Sequence, residues 1–507
     1  MAFCLDDGSE LLYGPASMDE PRTAILPGSG GSASEGATAL FQDVQTSPVN
    51  SIAVLPFVNM SADVDNEYFC DGLAEELLNE LAKIDGLKVA ARTSAFSFKG
   101  KNTNVGDIGV ALGVKTVLEG SVRKVGERVR IAVQVVNASD GYHILSERYD
   151  REIKDIFEVQ DDIAGSVVDA LKIKLIGGNR PGAVKRATNS PEAYQLYLKG
   201  RYFWNKFSAT GSLKSIEYFK QAIEIDPTYA LAYAGLADGY VLSIQYAAAD
   251  KSDTTDKARA AALKAIELDD TVAEGHSALG SIKTFYDRDW AGAERALKRA
   301  VEINPNSSTG FQLLGMFLCA TGRFDEATAA YTRAHEIDPL SIGIQEHRGW
   351  PHYYAREYDR AIDHFQKALE MDPNFMNTYF RLGLALTQKR MYDEALTAFA
   401  ESIKRNNDRD TVAVTGYIYA VTDRPDEAKK VLAELDSRSK TEYVPPYDLA
   451  LVNVGLGDKD RAFEWLEAAF DSHDYWLAFI KVDPFMDPLR DDPRFDDLVR
   501  RMNFSAK

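Results

Sequence analysis

Three prolines set the frame of this chain. Pro305, Pro339 and Pro373 lie 34 residues apart, in the contexts EINP, EIDP and EMDP, and Asn407 in KRNN falls one further step along. A fixed period of this length is the mark of a helix–turn–helix unit, because neither helix can bury its apolar face until the next unit stacks upon it. The prolines end each second helix, where a missing N–H and a fixed φ stop propagation. Upstream, EIDP ends at Pro227 and ELDD at Asp270, so the first spacing runs nine residues over the period and the second one residue over. A polar turn at Ala248 to Thr255 is the expected home of the first excess, and DRDW (287–290) of the second.

Internal positions keep the same step. In the unit ending at Pro339, Phe311, Leu314, Gly315, Ala327, Tyr331 and Ala334 supply alternating large and small side chains. Gly349, Ala361, Phe365 and Ala368 repeat the set, and Tyr379, Leu382, Gly383, Ala395 and Phe399 repeat it again. This pattern is similar to that of tetratricopeptide repeats. The expected architecture is an all-α solenoid of about eight repeats over 191–474, a right-handed superhelix of helix pairs. The Asp/Pro-rich stretch 475–507 is expected to be a capping segment over the last apolar face.

A different period governs the N-terminal part. After 1–50, which holds a Gly/Ser stretch and too little apolar surface to offset ordering entropy, the expectation is a disordered segment. From Ser51 a buried-type strand is followed by a helix over Asn66 to Ile84, with Leu73, Leu77, Leu81 and Ile84 on one face and Glu75, Glu76, Asn79 and Glu80 on the other. A strand at 87–91, a short helix near 104–113, three strands (Thr116–Arg123, Arg128–Asn137, Tyr142–Tyr149) and a helix at about 156–175 complete an α/β domain, βαβαβββα, over 51–177. Asp155 with Glu158 predicts a capping box at the start of the last helix. Residues 178–190 form a Pro/Gly/polar linker.

The segments SIAVLPFVNMS, EYFCDGLAEELLNELAKI, VAARTSAFSFKGK and LGVKTVLEGSVRKVGERVRIAVQVV follow one another over 51–172 and end in ERYDREIKDIFEVQDDIA. Together they resemble the TolB N-terminal-like domain of bacterial signalling proteins. The resemblance implies a regulatory or recognition module. In that family a TolB-like plus repeat region often follows a class III adenylate/guanylate cyclase or a winged-helix domain. The stretch before Ser51 is too short for either, so no catalytic domain is expected.

Charge and motifs narrow the function further. The net charge is −19 over 507 residues, which disfavours nucleic acid and anionic membranes as partners. Apolar runs are far shorter than the ~20 residues that span a bilayer, and MAFCLDDGSE lacks a basic, apolar leader. Cys4, Cys70 and Cys319 form no C-x-x-C pair. These features predict a cytoplasmic protein without membrane insertion. GHSALG (275–280) sits in a helix and is no nucleophile elbow. His347 and His352, five apart, fall on different helical faces, and no metal or cofactor site is expected. The charged set Asp71, Glu75, Arg92, Glu119, Arg123 and Arg148 is expected to lie on solvated strand ends and helix faces.

What remains is binding. In the 34-residue frame Met316, Trp350, Tyr353 and Phe380 point to the inner side of the superhelix, where aromatic and Met side chains serve either as interface anchors or as packing between repeats. The expected function is a non-enzymatic scaffold that holds a partner protein or peptide in this groove, and that can form a homo-oligomer. The alternative is a regulatory portion related to class III cyclases that works with a separate catalytic domain. Pro351 falls inside a first helix, so that helix is expected either to be kinked or to start late, opening a pocket walled by Trp350, or to be shortened with Pro351 simply in its first turn.

Overall fold

The computed structural model describes residues 50–63, 66–82, 84, 86–171, 187–206, 208–245, 251–405, 409–440 and 443–504, all within the compact unit Ser47–Lys507. Residues 1–49, most of the expected linker and Asn407 lie outside the described residues.

The N-terminal part is built on one mixed sheet. Strand β1 (Ser51–Val54), the short β2 (Val58–Asn59), helix α1 (Glu67–Ala82), strand β3 (Lys88–Val89), helices α2 (Arg92–Phe96) and α3 (Val105–Leu112), strands β4 (Thr116–Val125), β5 (Arg128–Asn137) and β6 (His143–Glu152), and helix α4 (Ile156–Ala170) follow in order. The sheet runs β3-β1-β4-β5-β6, parallel from β3 to β4 and antiparallel from β4 to β6, with β2 alongside β4. Two elements, β2 and α2, were not expected. Both are too short to show a period. β1 is buried along its whole length, as a parallel strand covered on both faces must be. The expected capping box is absent. Asp155 makes no side-chain cap bond, because a 3-10 turn over Ile153–Asp155 leads directly into α4.

From α5 (Pro191–Trp204) onward the described residues form eight antiparallel helix pairs, the last ending at Asp471. The pairs close through glycines on the first helix. An added Cβ at Gly315 would stand 2.7 Å from the Tyr331 ring, at Gly349 2.5 Å from Phe365 and at Gly383 2.4 Å from Phe399. No residue larger than glycine fits there, which is why the 34-residue period carries a glycine and an aromatic 16 residues on. Ala327, Ala361 and Ala395 are fully buried on the second helices.

The irregular spacings have local solutions. Of the polar turn expected at Ala248 to Thr255, residues 248–250 lie outside the described residues and 251–255 are helical. The second pair has helices of 16 and 18 residues, where the α-helices of the later pairs have at most 14. The single extra residue near DRDW is absorbed by a π-helical turn, Lys283–Asp287, closed by Arg288 at φ 56°. Pro351 splits its helix as expected, into Ile342–His347 and Trp350–Tyr354, with the proline in the first turn of the second piece.

The α/β part and the repeats share one core. Phe157 of α4 packs on Tyr194 of α5 at 5.0 Å, and Leu198 of α5 would meet any side chain at Gly72 of α1. Further along, the repeat turns themselves dock on it. Asn306 donates to the Ala82 carbonyl at 3.0 Å, Ala91 N–H donates to the Ile337 carbonyl at 3.1 Å, and Ser94 N–H donates to Asp338 at 3.0 Å. Burial raises the Asp338 pKa, and its hydrogen bonds from Ser94 and Thr93 oppose the rise.

Candidate functional site: the inner face of the repeats

The four residues expected to line a ligand groove are all buried. Met316, Trp350, Tyr353 and Phe380 are 8, 3, 5 and 8 % exposed. Three of them sit within an aromatic cluster that includes the chain's own C-terminal segment. Trp350 meets Phe479 edge-on at 5.7 Å, and Phe380 lies 6.5 Å from Trp476. Tyr353 packs on Tyr354, which stacks flat on Phe479 at 5.2 Å. The pocket expected beside Pro351 is therefore filled.

Arg381 joins the wall to the segment. Its guanidinium lies 4.1 Å from the Trp350 ring centre and 4.9 Å from that of Trp476, and it pairs with Glu346 at 3.4 Å. Glu346 also accepts the indole N–H of Trp350 at 3.1 Å. The charge is held where a cation over two indole faces is most favourable.

The segment covers the last repeat, where Arg494 pairs with Asp460 at 2.8 Å and Tyr447 donates its hydroxyl to Asp483 at 2.6 Å, and it reaches well beyond it. Tyr475 stacks on Phe285 at 4.4 Å, Phe485 meets Tyr417 edge-on at 4.9 Å, and Phe504 stacks on Trp290 at 4.4 Å. Trp290 donates its indole N–H to the Met502 carbonyl at 2.7 Å, and Arg356 reaches the Val482 carbonyl at 2.6 Å and Asp487 at 2.8 Å. Contacts with Phe285 and Trp290 of the third repeat, Arg356 of the fifth and Tyr417 of the seventh run the segment along the inner face. Three aspartates shape it. Asp474, Asp483 and Asp492, nine apart, each accept the N–H two residues on (Trp476, Phe485, Arg494) and start a short turn. That spacing was visible in the sequence and would have shown an ordered, compact segment.

Burial decides how this face can be used. Leu477, Phe479, Ile480, Phe485, Met486, Leu489, Leu498 and Met502 are at most 3 % exposed. Fully burying each such side chain is worth about 1.5–3 kcal/mol. A partner that bound here would have to displace these side chains from the groove. The inner face is core.

The charged set of the N-terminal part divides. Glu75 of α1 is buried and takes Arg92 at 2.7 Å and Arg201 of α5 at 2.7 Å. Burial pushes its pKa up, but the two guanidinium groups outweigh this and hold it below the ordinary carboxylate value. The expected solvated face is thus an ion pair tying the two parts together, and Arg201 went unnoticed because its partner lies 126 positions away. Asp71 pairs with Lys99 at 2.6 Å. Arg123 and Arg148 lie on β4 and β6, with Arg148 exposed. Glu119 lines a cavity of about 440 Å³ with Asn104, Val136, Asp140 and His143. His347 stacks on Trp350 at 4.5 Å, and His352 on His364 at 5.5 Å; these are packing contacts. Among the described residues no group of three His, Cys, Asp or Glu is arranged to hold a metal ion, and no helix is long and apolar enough to cross a membrane.

Helix pairs closed by a glycine against an aromatic, repeated at 34 residues, define a helical-repeat protein. The tetratricopeptide-repeat family matches residues 285–342 and 348–410, so the chain contains tetratricopeptide repeats. It is similar to a Rhizobium meliloti (strain 1021) protein named "Putative adenylate cyclase 3", 39 % identical over 231 residues, 45 % of this chain and 39 % of that protein. It is also similar to "Transcriptional regulator HilA" of Salmonella typhimurium (strain LT2), 24 % identical over 225 residues, 44 % of this chain and 40 % of that one. The chain spans about two fifths of the length of these curated relatives. A solved structure of Pseudomonas aeruginosa PilF aligns over 43 % of this chain and 94 % of its own, at 19 % identity and a TM-score of 0.33.

Proposed function

We infer that the chain is a non-catalytic interaction and regulatory module of a bacterial signalling system, in which a TolB-like domain is mounted rigidly on a tetratricopeptide array. The observation that carries this reading is the Glu75–Arg201 pair with the docked turns at Asn306 and Asp338. They make the two parts one body, able to present a fixed surface to a protein partner in the cytoplasm. In this reading Met316, Trp350, Tyr353 and Phe380 anchor an intramolecular segment, and external partners meet the outer surfaces.

A second reading, a regulatory portion related to class III cyclases, is favoured by the 39 % identity to the cyclase-named relative. The relatives' printed names describe two different chemistries, and each shares with this chain only about two fifths of its length. That supports a matched stretch of each relative separate from the part its name describes.

The test has two arms. The full chain with ATP or GTP and Mg2+ or Mn2+ should form no cyclic nucleotide. Proteins captured on the immobilised chain and then purified should bind it saturably and stoichiometrically by calorimetry. Cyclic nucleotide made by the chain alone, or no partner that binds saturably, overturns the first reading.

A further inference from the structure

The two edges of the sheet are treated differently. At the β3 edge, Ala91 just beyond the strand is bonded to the Ile337 carbonyl of the repeats, so that edge is covered. The β6 edge is bare. β6 is ten residues long and contains no Pro or Lys, and its charges, Glu147, Arg148, Asp150, Arg151 and Glu152, are of both signs and so can pair rather than only repel. Among the described residues no backbone bond reaches its outer side.

The groups on that side can be assigned. Ile153 N–H donates to the Glu127 carbonyl at 2.7 Å, so the odd-numbered backbone groups of β6 face β5. The even-numbered ones, at Ser146, Arg148, Asp150 and Glu152, therefore face outward. The Asp150 carbonyl accepts its neighbour's Arg151 guanidinium at 3.1 Å, which agrees.

We propose that β6 pairs antiparallel with β6 of a second copy of this chain, about a two-fold axis at Tyr149, joining two sheets into one. The charge pattern picks the occupant and the register. Centred on Tyr149, Arg148 stands opposite Asp150 of the second copy, and Glu147 opposite Arg151 of the second copy, each twice by symmetry. Centred on Glu147, Arg148 or Asp150, a charge would face itself. Opposed residues share a face in this register, and the outward N–H and C=O groups of Arg148 and Asp150 meet each other as a bonded pair. Arg148 and Arg151 are exposed, and Glu147 and Asp150 partly so, leaving the charges within reach. Glu147 also accepts the Tyr149 hydroxyl, and Asp150 takes Arg128 and Arg130 of its own chain at 2.9 and 2.6 Å. These bonds fix both carboxylates in place before pairing.

Sedimentation of the full chain from about 1 to about 100 µM tests this, since dimer population depends on protomer concentration. The expected species is twice the 56.1 kDa chain mass. Arg148→Pro removes one outward N–H while leaving the β5 ladder intact, and should weaken the dimer tenfold or more. Glu147→Arg and Arg151→Glu should each do the same, and the double variant should restore it. Far-UV melting identifies the variants that fold, and either single reversal with the double variant suffices. A monomeric wild type across the range overturns the proposal, including the case where the edge takes another protein's strand. So does a dimer that these substitutions leave unchanged.

Discussion

The ring of Phe479 lies flat on that of Tyr354, 5.2 Å between centres and 7° from parallel. The first belongs to the C-terminal segment and the second to the fifth helix pair, so a contact over more than a hundred residues closes the repeat array on itself. Phe479→Ala would leave a cavity among Tyr354, Trp350 and Phe285. The expected loss is about 3–5 kcal/mol, measured by urea unfolding. A loss under ~1 kcal/mol would mean that the segment contributes little to the fold.

The Glu75–Arg201 pair should behave as a buried ion pair. Glu75→Ala leaves Arg92 and Arg201 without their carboxylate and should cost about 3–5 kcal/mol. The pH dependence has a definite sign. The folded pKa of Glu75 lies below its ordinary value, so its contribution is present above the ordinary carboxylate range and is lost as pH falls through the folded value. The difference in melting temperature between wild type and Glu75→Gln should shrink on acidification, and a constant difference would refute it.

Asp238 has the opposite sign. Burial raises its pKa to about 7; Arg201 opposes the rise and Glu274 adds to it. An unfolded Asp titrates near ~3.9, so between these values the unfolded chain gives up its proton first and stability falls as pH rises. Asp238→Asn should raise the melting temperature at pH 8 more than at pH 5. Equal shifts at both would contradict this.

Close packing of the helix pairs predicts intolerance at small residues. Gly383→Ala would place a Cβ 2.4 Å from Phe399, and Ala361→Leu would crowd a fully buried site. Each should cost roughly 1–3 kcal/mol by denaturant titration. If both melt like the parent, the helix register is wrong.

The legible parts of the fold were those with a period. The 34-residue step located the repeats, and alternation located β4, β5 and β6. Local signals did less well. Asp155 and Glu158 had the spacing of a capping box, yet the preceding 3-10 turn removed the geometry. Elements of two to five residues, such as β2 and α2, are fixed by neighbours rather than by their own pattern. The candidate site was half legible. Trp350, Tyr353 and Phe380 are buried, but what covers them is set by contacts such as Trp350 with Phe479 and Phe380 with Trp476, between residues about a hundred apart in sequence. The Glu75–Arg201 pair is hidden for the same reason, since an acidic residue opposite a leucine stripe reads as a solvated face.

Hydrogen exchange of the full chain over 475–489, followed by mass spectrometry, tests most directly whether the C-terminal segment is a permanent part of the repeat core. Its bonded amides, among them Leu477, Ile480, Val482 and Met486, should exchange as slowly as those of the helix Ser308–Thr321 and in the same cooperative step on adding denaturant. Exchange of these amides within seconds under native conditions, while that helix stays protected, would contradict it.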